Sequence, residues 1–110
     1  MIKYKDFENV EMHVGKIIEV TNFKEVRKPS YKLKIDFGEE IGIKKSSAQV
    51  TRYTKEELMG KAVIAVTNFE PKQIANFMSE VLVLGLDAKS GGIMLLQPDI
   101  RDFKLGSRVY

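Results

Sequence analysis

The chain has 110 residues, no cysteine, one histidine, and 18 Lys and Arg against 15 Asp and Glu, a formal charge of +3. That length predicts one domain with a modest core, and 44% hydrophobic with 30% charged residues is a globular composition rather than a disordered one. The absence of cysteine excludes a disulfide framework, thiolate catalysis and the common structural zinc sites.

Taken in chain order, Tyr4 and Phe7 stand at helical spacing and predict one short turn. Met12 to Phe23 then reads as a long strand rich in β-branched residues. Val14, Lys16, Ile18 and Val20 are expected on one face and Ile17 on the other, with a bulge or bend at Gly15. Arg27-Lys28-Pro29-Ser30 is a loop, since proline fixes its own backbone and turns the preceding residue away from helix. Tyr31 to Phe37 alternates, with Leu33, Ile35 and Phe37 inward and Lys32, Lys34 and Asp36 outward. Gly38-Glu39-Glu40 turns the chain, and Ile41 and Ile43 open the returning strand.

Thr54-Lys55-Glu56-Glu57 has the pattern of a capping box, and Gly60 suits the left-handed position that closes a one- or two-turn helix. Ala62 to Val66 and Val81 to Leu86 are continuous apolar runs that predict strands buried on both faces. Between them, Pro71 is expected to begin a helical turn carrying Ile74 and Phe77. Asp87 to Gly92 is a turn, Ile93 to Leu96 returns, and Pro98 ends that strand. The last residues hold Ile100, Phe103, Leu105, Val109 and Tyr110, too apolar for a free tail, so they are expected to dock on this subunit or on a second one. The run Val81–Leu86 is far shorter than the about 20 residues of a membrane span. The lysines of Met1–Asp6 have no apolar segment behind them, so neither membrane insertion nor a secretory signal is expected.

Three strands, one short capped helix and two or three further strands predict an all-β domain with short helices. This is the element order of an OB-fold, a five-stranded Greek-key barrel with its helix between strands three and four.

Residues with catalytic or metal-binding chemistry are sparse. His13 has Glu11 two residues before it, but no third or fourth ligand at a familiar spacing, so no metal site is expected. No Gly-x-Ser-x-Gly elbow and no phosphate loop occurs, and the pairs Glu39-Glu40 and Glu56-Glu57 lie in a turn and a helix start. No enzyme and no cofactor is expected.

The basic residues carry more. Residues 24–61 hold 10 basic against 6 acidic side chains, while the segments on either side are balanced within one charge. Arg27, Lys32, Lys34 and Lys44 are expected to line one face of the barrel and meet phosphates, with Tyr31 and Tyr53 as candidate stacking rings. Ser46, Ser47 and Gln49, in Lys45–Val50, offer groups to phosphates or to a peptide backbone, or else satisfy the turn.

The segment Val66-Thr67-Asn68-Phe69-Glu70-Pro71-Lys72-Gln73-Ile74, followed by Ser79-Glu80-Val81-Leu82-Val83-Leu84, resembles the signature of the tRNA-binding OB domain found in methionyl- and phenylalanyl-tRNA synthetases and in free-standing tRNA-binding proteins. Asn68, Pro71, Ile74, Ser79 and Leu82–Leu84 match it. Lys32–Gly38, Ile41–Val50, Ser79–Gly85 and Leu95–Asp99 resemble the small CsaA-type secretion chaperones within that family. Gln73, Asn76 and the Val81-Leu82 step depart from the tRNA binders and fit this branch better. The resemblance runs over nearly the whole chain. It implies a single domain over residues 1–110, a cytoplasmic homodimer joined through its termini, and no catalysis. It also implies binding of unfolded or precursor polypeptides and of the secretion ATPase, with tRNA as the other ligand class, and adds Asn68, Pro71, Ser79 and Glu80 to the candidate site.

Overall fold

A five-stranded antiparallel sheet curls into a nearly closed barrel in the computed structural model, which describes residues 1–110. The elements are α1 (Tyr4–Glu8), β1 (Met12–Asn22), β2 (Tyr31–Asp36), β3 (Ile43–Ala48), α2 (Lys55–Leu58), β4 (Ala62–Val66), β5 (Lys72–Ile74), β6 (Phe77–Ser79), β7 (Leu82–Val83), β8 (Gly85–Asp87) and β9 (Ile93–Leu95). The barrel strands run in the order β3-β2-β1-β4-β7, and β5-β6 and β8-β9 are separate hairpins. This is the expected OB-like arrangement, with α2 between the third and fourth barrel strands.

The core follows the alternation of β2. Leu33, Ile35 and Phe37 are buried with Ile17, Val63, Ala65, Val50, Leu58, Val81 and Leu95. The helix α2 is only four residues long and stands on its cap and on Leu58, which is wholly buried. Thr54 Oγ1 accepts from the Glu57 amide at 3.1 Å, and the Thr54 amide donates to Glu57 Oε1 at 2.8 Å. The Thr54 amide that donates to it, and after it the Thr54 hydroxyl, hold the Glu57 carboxyl below its ordinary range. A depressed carboxyl contributes stability above its ordinary value and loses that contribution as pH falls through the lowered one. Thr54→Ala is expected to cost about 1 kcal/mol by urea unfolding, and to raise the Glu57 titration only in part by carboxyl NMR, because the hydroxyl is lost while the backbone donor remains; an unchanged unfolding midpoint would contradict the cap.

The long strand β1 differs from expectation. Its pairing with β4 runs unbroken from Met12 to Lys16, through Gly15, and the irregularity falls between Ile17 and Glu19 in the β1–β2 ladder. Gly15 is therefore not a bulge but a close approach. A Cβ there would lie 2.6 Å from Ile35 Cγ2 and 2.7 Å from Phe37 Cε1. The irregularity at Ile18 reverses the alternation, so Ile17 and Val20 both meet the core while Lys16 and Ile18 face out.

Residues 72–79 form the β5–β6 hairpin rather than a helical turn begun at Pro71. Ile74 and Phe77 are cross-strand partners, and Ala75 takes a left-handed φ of 54° at the turn between them. A separation of three residues fits one helical turn and equally spans a two-residue hairpin loop, which is why the spacing misled. The run Val81–Leu86 divides into β7, on the barrel, and β8, in the outer hairpin. Only Val81 is buried, and Leu82 and Leu86 are each 48% exposed, so this run is not a strand buried on both faces.

The tail docks on its own subunit. Val14 N–H donates to Ser107 O, Gly106 N–H to Val14 O, and Val109 N–H to Met12 O, at 2.9 to 3.0 Å. It thus occupies the edge of β1 that β2 leaves free, since β2 pairs only from Lys16 onward. Ile100 and Tyr110 stay exposed, as do Met1, Ile2 and Tyr4 at the other terminus. No helix is long and apolar enough to cross a membrane.

Candidate polypeptide and nucleic-acid interface

The register of β1, β2 and β3 places two rows on the outer face of the sheet. Thr21, Lys32 and Ser47 form one, and Glu19, Lys34 and Lys45 the other. Lys34 Nζ lies 3.5 Å from Glu19 Oε2, with both side chains about half exposed, a pair worth little in water. Lys45 stands opposite Lys34, and like charges in facing positions repel. Its ammonium leans instead over the Phe77 ring, 5.5 Å from the centroid. Lys32 Nζ sits 4.9 Å from the Phe23 centroid and 5.6 Å from that of Phe77, and the two rings meet edge to face at 5.5 Å. A small apolar cluster thus lies outside the barrel, under two lysines.

The structure brings together only part of the expected basic face. Lys32 and Lys34 share it, and Arg27 is exposed on the loop beside Phe23. Lys44 is the cross-strand partner of inward-facing Ile35, so it lies on the opposite side from Lys45. It lines a separate open cavity of about 940 Å³ with His13, Glu11, Glu39, Glu40 and Lys104. The parity of β3 is set by Ser46 opposite Leu33, and a small polar residue gives no hydrophobic signal of facing inward. Tyr31 and Tyr53 do not present stacking faces. Both are packed against the core; Tyr31 donates to Tyr53 O at 2.9 Å, and Tyr53 Oη accepts from Leu95 N–H at 3.1 Å.

The serines and the carboxylate close the barrel. Ser46 is fully buried, with its hydroxyl 3.0 Å from Val81 O, which it reaches as donor. Ser79 Oγ accepts from Ser47 N–H at 3.0 Å, Glu80 Oε1 accepts from Lys45 N–H at 2.9 Å, and Glu80 N–H donates to Lys45 O at 2.8 Å. The free edge of β3 is therefore sealed largely by side chains, where a full ladder would have used main chain. Asn68 ties β4 to the N-terminal segment: its Oδ1 accepts from Glu11 N–H at 3.0 Å, and its Nδ2 donates to Asn9 O at 2.9 Å. Gln49 is exposed after β3, and Pro71 is exposed just before β5.

Beside the sealed edge is a cleft of about 620 Å³, walled by Phe69, Ile74, Val81 and Leu82 and rimmed by Ser47, Glu70, Lys72, Ser79 and Glu80. Phe69 is 55% exposed and Leu82 48%, so apolar surface faces solvent there. His13 lies in the larger cavity with its Nδ1 2.8 Å from Gly106 O. A carbonyl can only accept, so Nδ1 carries the hydrogen and Nε2 points toward Glu11, 3.7 Å away. No group of three or more His, Asp or Glu side chains is arranged to hold a metal ion.

A barrel with basic residues on one sheet face and an apolar cleft at its closing seam defines a binding domain, and the chain belongs to the putative tRNA-binding domain family, whose model matches residues 12–108. Over its full length it is similar to a CsaA chaperone protein from Picrophilus torridus, with 55% identity, all of both chains covered and a TM-score of 0.95. It is similar also to the chaperone CsaA from Bacillus anthracis, at 43% identity with 100% and 99% of the two chains covered and a TM-score of 0.91. A methionine–tRNA ligase from Pyrococcus horikoshii is 37% identical over 98% of this chain, which spans 14% of that relative's length.

Proposed function

We propose that the chain is a non-catalytic, homodimeric chaperone of the CsaA type that binds unfolded polypeptide in the cytoplasm during export and meets the secretion ATPase there. The observation that carries this reading is the solvent-facing cleft walled by Phe69, Ile74, Val81 and Leu82, in a fold similar to CsaA chaperones over its whole length. Apolar walls receive side chains of varied sequence because the hydrophobic effect is non-directional. Support for the dimer comes from the termini. Helix α1 buries none of its five residues, and the side-chain hydrogen bonds that tie its end to the subunit, at Glu8 O and Asn9 O, cover no apolar surface. A second copy laid over Met1, Ile2, Tyr4, Ile100 and Tyr110 would bury them. Two copies also double the cleft and raise avidity for a long client.

The test is suppression of aggregation of a chemically denatured client, with Phe69→Ser and Leu82→Ser as cleft variants. Protection by the wild type and its loss in both variants is expected; no protection by the wild type ends the chaperone reading. Sedimentation is expected to give twice the 12.5 kDa of one chain at micromolar concentration, and a single-chain mass would end the dimer.

A second reading, binding of tRNA without reading its sequence, is supported by the family match and by the lysines on the outer sheet face. Retention of bulk tRNA on a filter at low salt, weakening steeply as salt rises, is its expected result.

A further inference from the structure

We infer that Phe77, with Phe23 beneath it, is a positioning residue that holds Lys32 and Lys45 as a pre-set pair of contacts to RNA phosphates. This rests on the tRNA reading and assigns its contact face. Two observations carry it. Lys32 and Lys45 come from different strands, yet both ammoniums hang over the Phe77 ring, at 5.6 and 5.5 Å from its centroid. Phe77 comes from a separate hairpin and reaches this face because β6 packs beside β3, which sets its ring against Phe23 just after β1.

A free lysine loses rotamer freedom when it grips an anion, and that loss opposes association. A lysine already held by a ring face has lost much of it beforehand. The ring attracts the ammonium through its negative face, and the lysine carbons cover the ring in turn. The charge is not spent on a carboxylate: Lys34 is the lysine of this face with an acidic partner, while Lys32 and Lys45 rest on rings. Lys24, Arg27 and Lys28 continue the positive surface along the exposed loop next to Phe23. A stripe from that loop to β3 fits an extended polyanion better than a single small anion.

The same geometry says which part of RNA is met. Phe23 is 4% exposed and the Phe77 face is taken by ammoniums, so neither ring of this cluster is open to a base. Contact is with the backbone, and it carries no sequence preference.

The experiment is filter binding of bulk tRNA across a salt series, with the folded state of each variant checked by its urea midpoint. Lys45→Gln and Lys32→Gln are each expected to lower the slope of log affinity against log salt by about 0.7–0.9, one phosphate contact apiece. Phe77→Leu is expected to weaken binding roughly two- to five-fold with the slope unchanged, because the charges stay and only their placement is lost. Phe77→Tyr keeps the ring and is expected to bind as wild type does. No retention of tRNA by the wild type removes the tRNA reading and this inference with it. Binding by the wild type with slopes unchanged in both lysine variants overturns this inference alone. Phe77→Leu binding as wild type does, or failing to be rescued by Phe77→Tyr, removes the positioning role. Displacement of tRNA by polyglutamate at equal charge concentration would reassign the face to acidic polypeptide.

Discussion

Phe37→Ala is expected to cost about 3–5 kcal/mol, the range for truncating a buried aromatic side chain. Phe37 is 1% exposed and is among the largest fully buried side chains. It lies where β2 ends, against the bare backbone of Gly15 on β1, with its carbonyl close under Gly106 of the tail. Removing the ring would open a cavity in the core against Gly15. Stability of a domain this size is about 5–15 kcal/mol in all, so the variant would lose a large part of it. Urea unfolding should show a lower midpoint with a slope near that of wild type. A midpoint within experimental error of wild type would refute the packing described. The Gly15 contact makes a sharper version. Gly15→Ala drives a methyl into the Phe37 ring and should destabilise by about 1–3 kcal/mol alone. In the Phe37→Ala background the clash with the ring is gone, and Ile35, the remaining neighbour, can shift toward the vacated space, so the two changes should cost less together than their sum.

Gly106→Ala is the second large effect, and it differs in kind. Gly106 has φ 85°, a left-handed conformation that costs an alanine about 1–3 kcal/mol, and the added methyl would also collide with the Phe37 carbonyl. The strain can be relieved without unfolding the barrel, by releasing residues 105–109 from β1. The expected result is therefore local. The amides of Val14, Gly106 and Val109, which hold the tail on β1, should exchange with solvent much faster, while those of Leu33 and Ile35 stay protected. If the termini join two copies, the same variant should weaken the dimer by at least about tenfold, one tenfold step being about 1.4 kcal/mol. Unchanged exchange at Val14 would show that the tail holds without its left-handed glycine.

Both effects involve residues whose part in the fold was legible only in outline. Alternation marked Phe37 as inward, because a strand with one wet face writes its orientation every second residue. The capping box at Thr54 and the helix stop at Gly60 were equally plain, since each is a local hydrogen-bonding or backbone requirement met by neighbours in sequence. Gly15 was visible as an oddity but not as a contact, because what it makes room for sits on another strand. The β5–β6 hairpin was misread because a three-residue spacing does not separate a helical turn from a tight hairpin. The binding face was partly legible. Lys32 and Lys34 followed from β2, but choosing Lys45 over Lys44 needed the pairing of Ser46 with Leu33. Phe77 gave no signal of its own, since nothing local says that the hairpin bearing it will fold over a distant pair of lysines.

What the sequence by itself determined is a small, cysteine-free, β-rich domain of the tRNA-binding family, with its charge excess in the first half and too many apolar residues at its end for a free tail. Those properties are composition, alternation and local chemistry, and they survive any arrangement of the strands. The tertiary structure decided which residues became scaffold and which stayed free. It spent Ser46, Ser79, Glu80 and Asn68 on closing and tying the barrel, and left the cleft beside Phe69 and the lysines over Phe77 facing solvent. The physical reason is register: shifting a strand by one residue exchanges its two faces, and the register of β3 is set by pairing with β2 and by the seam at residues 79–81, far away in the chain.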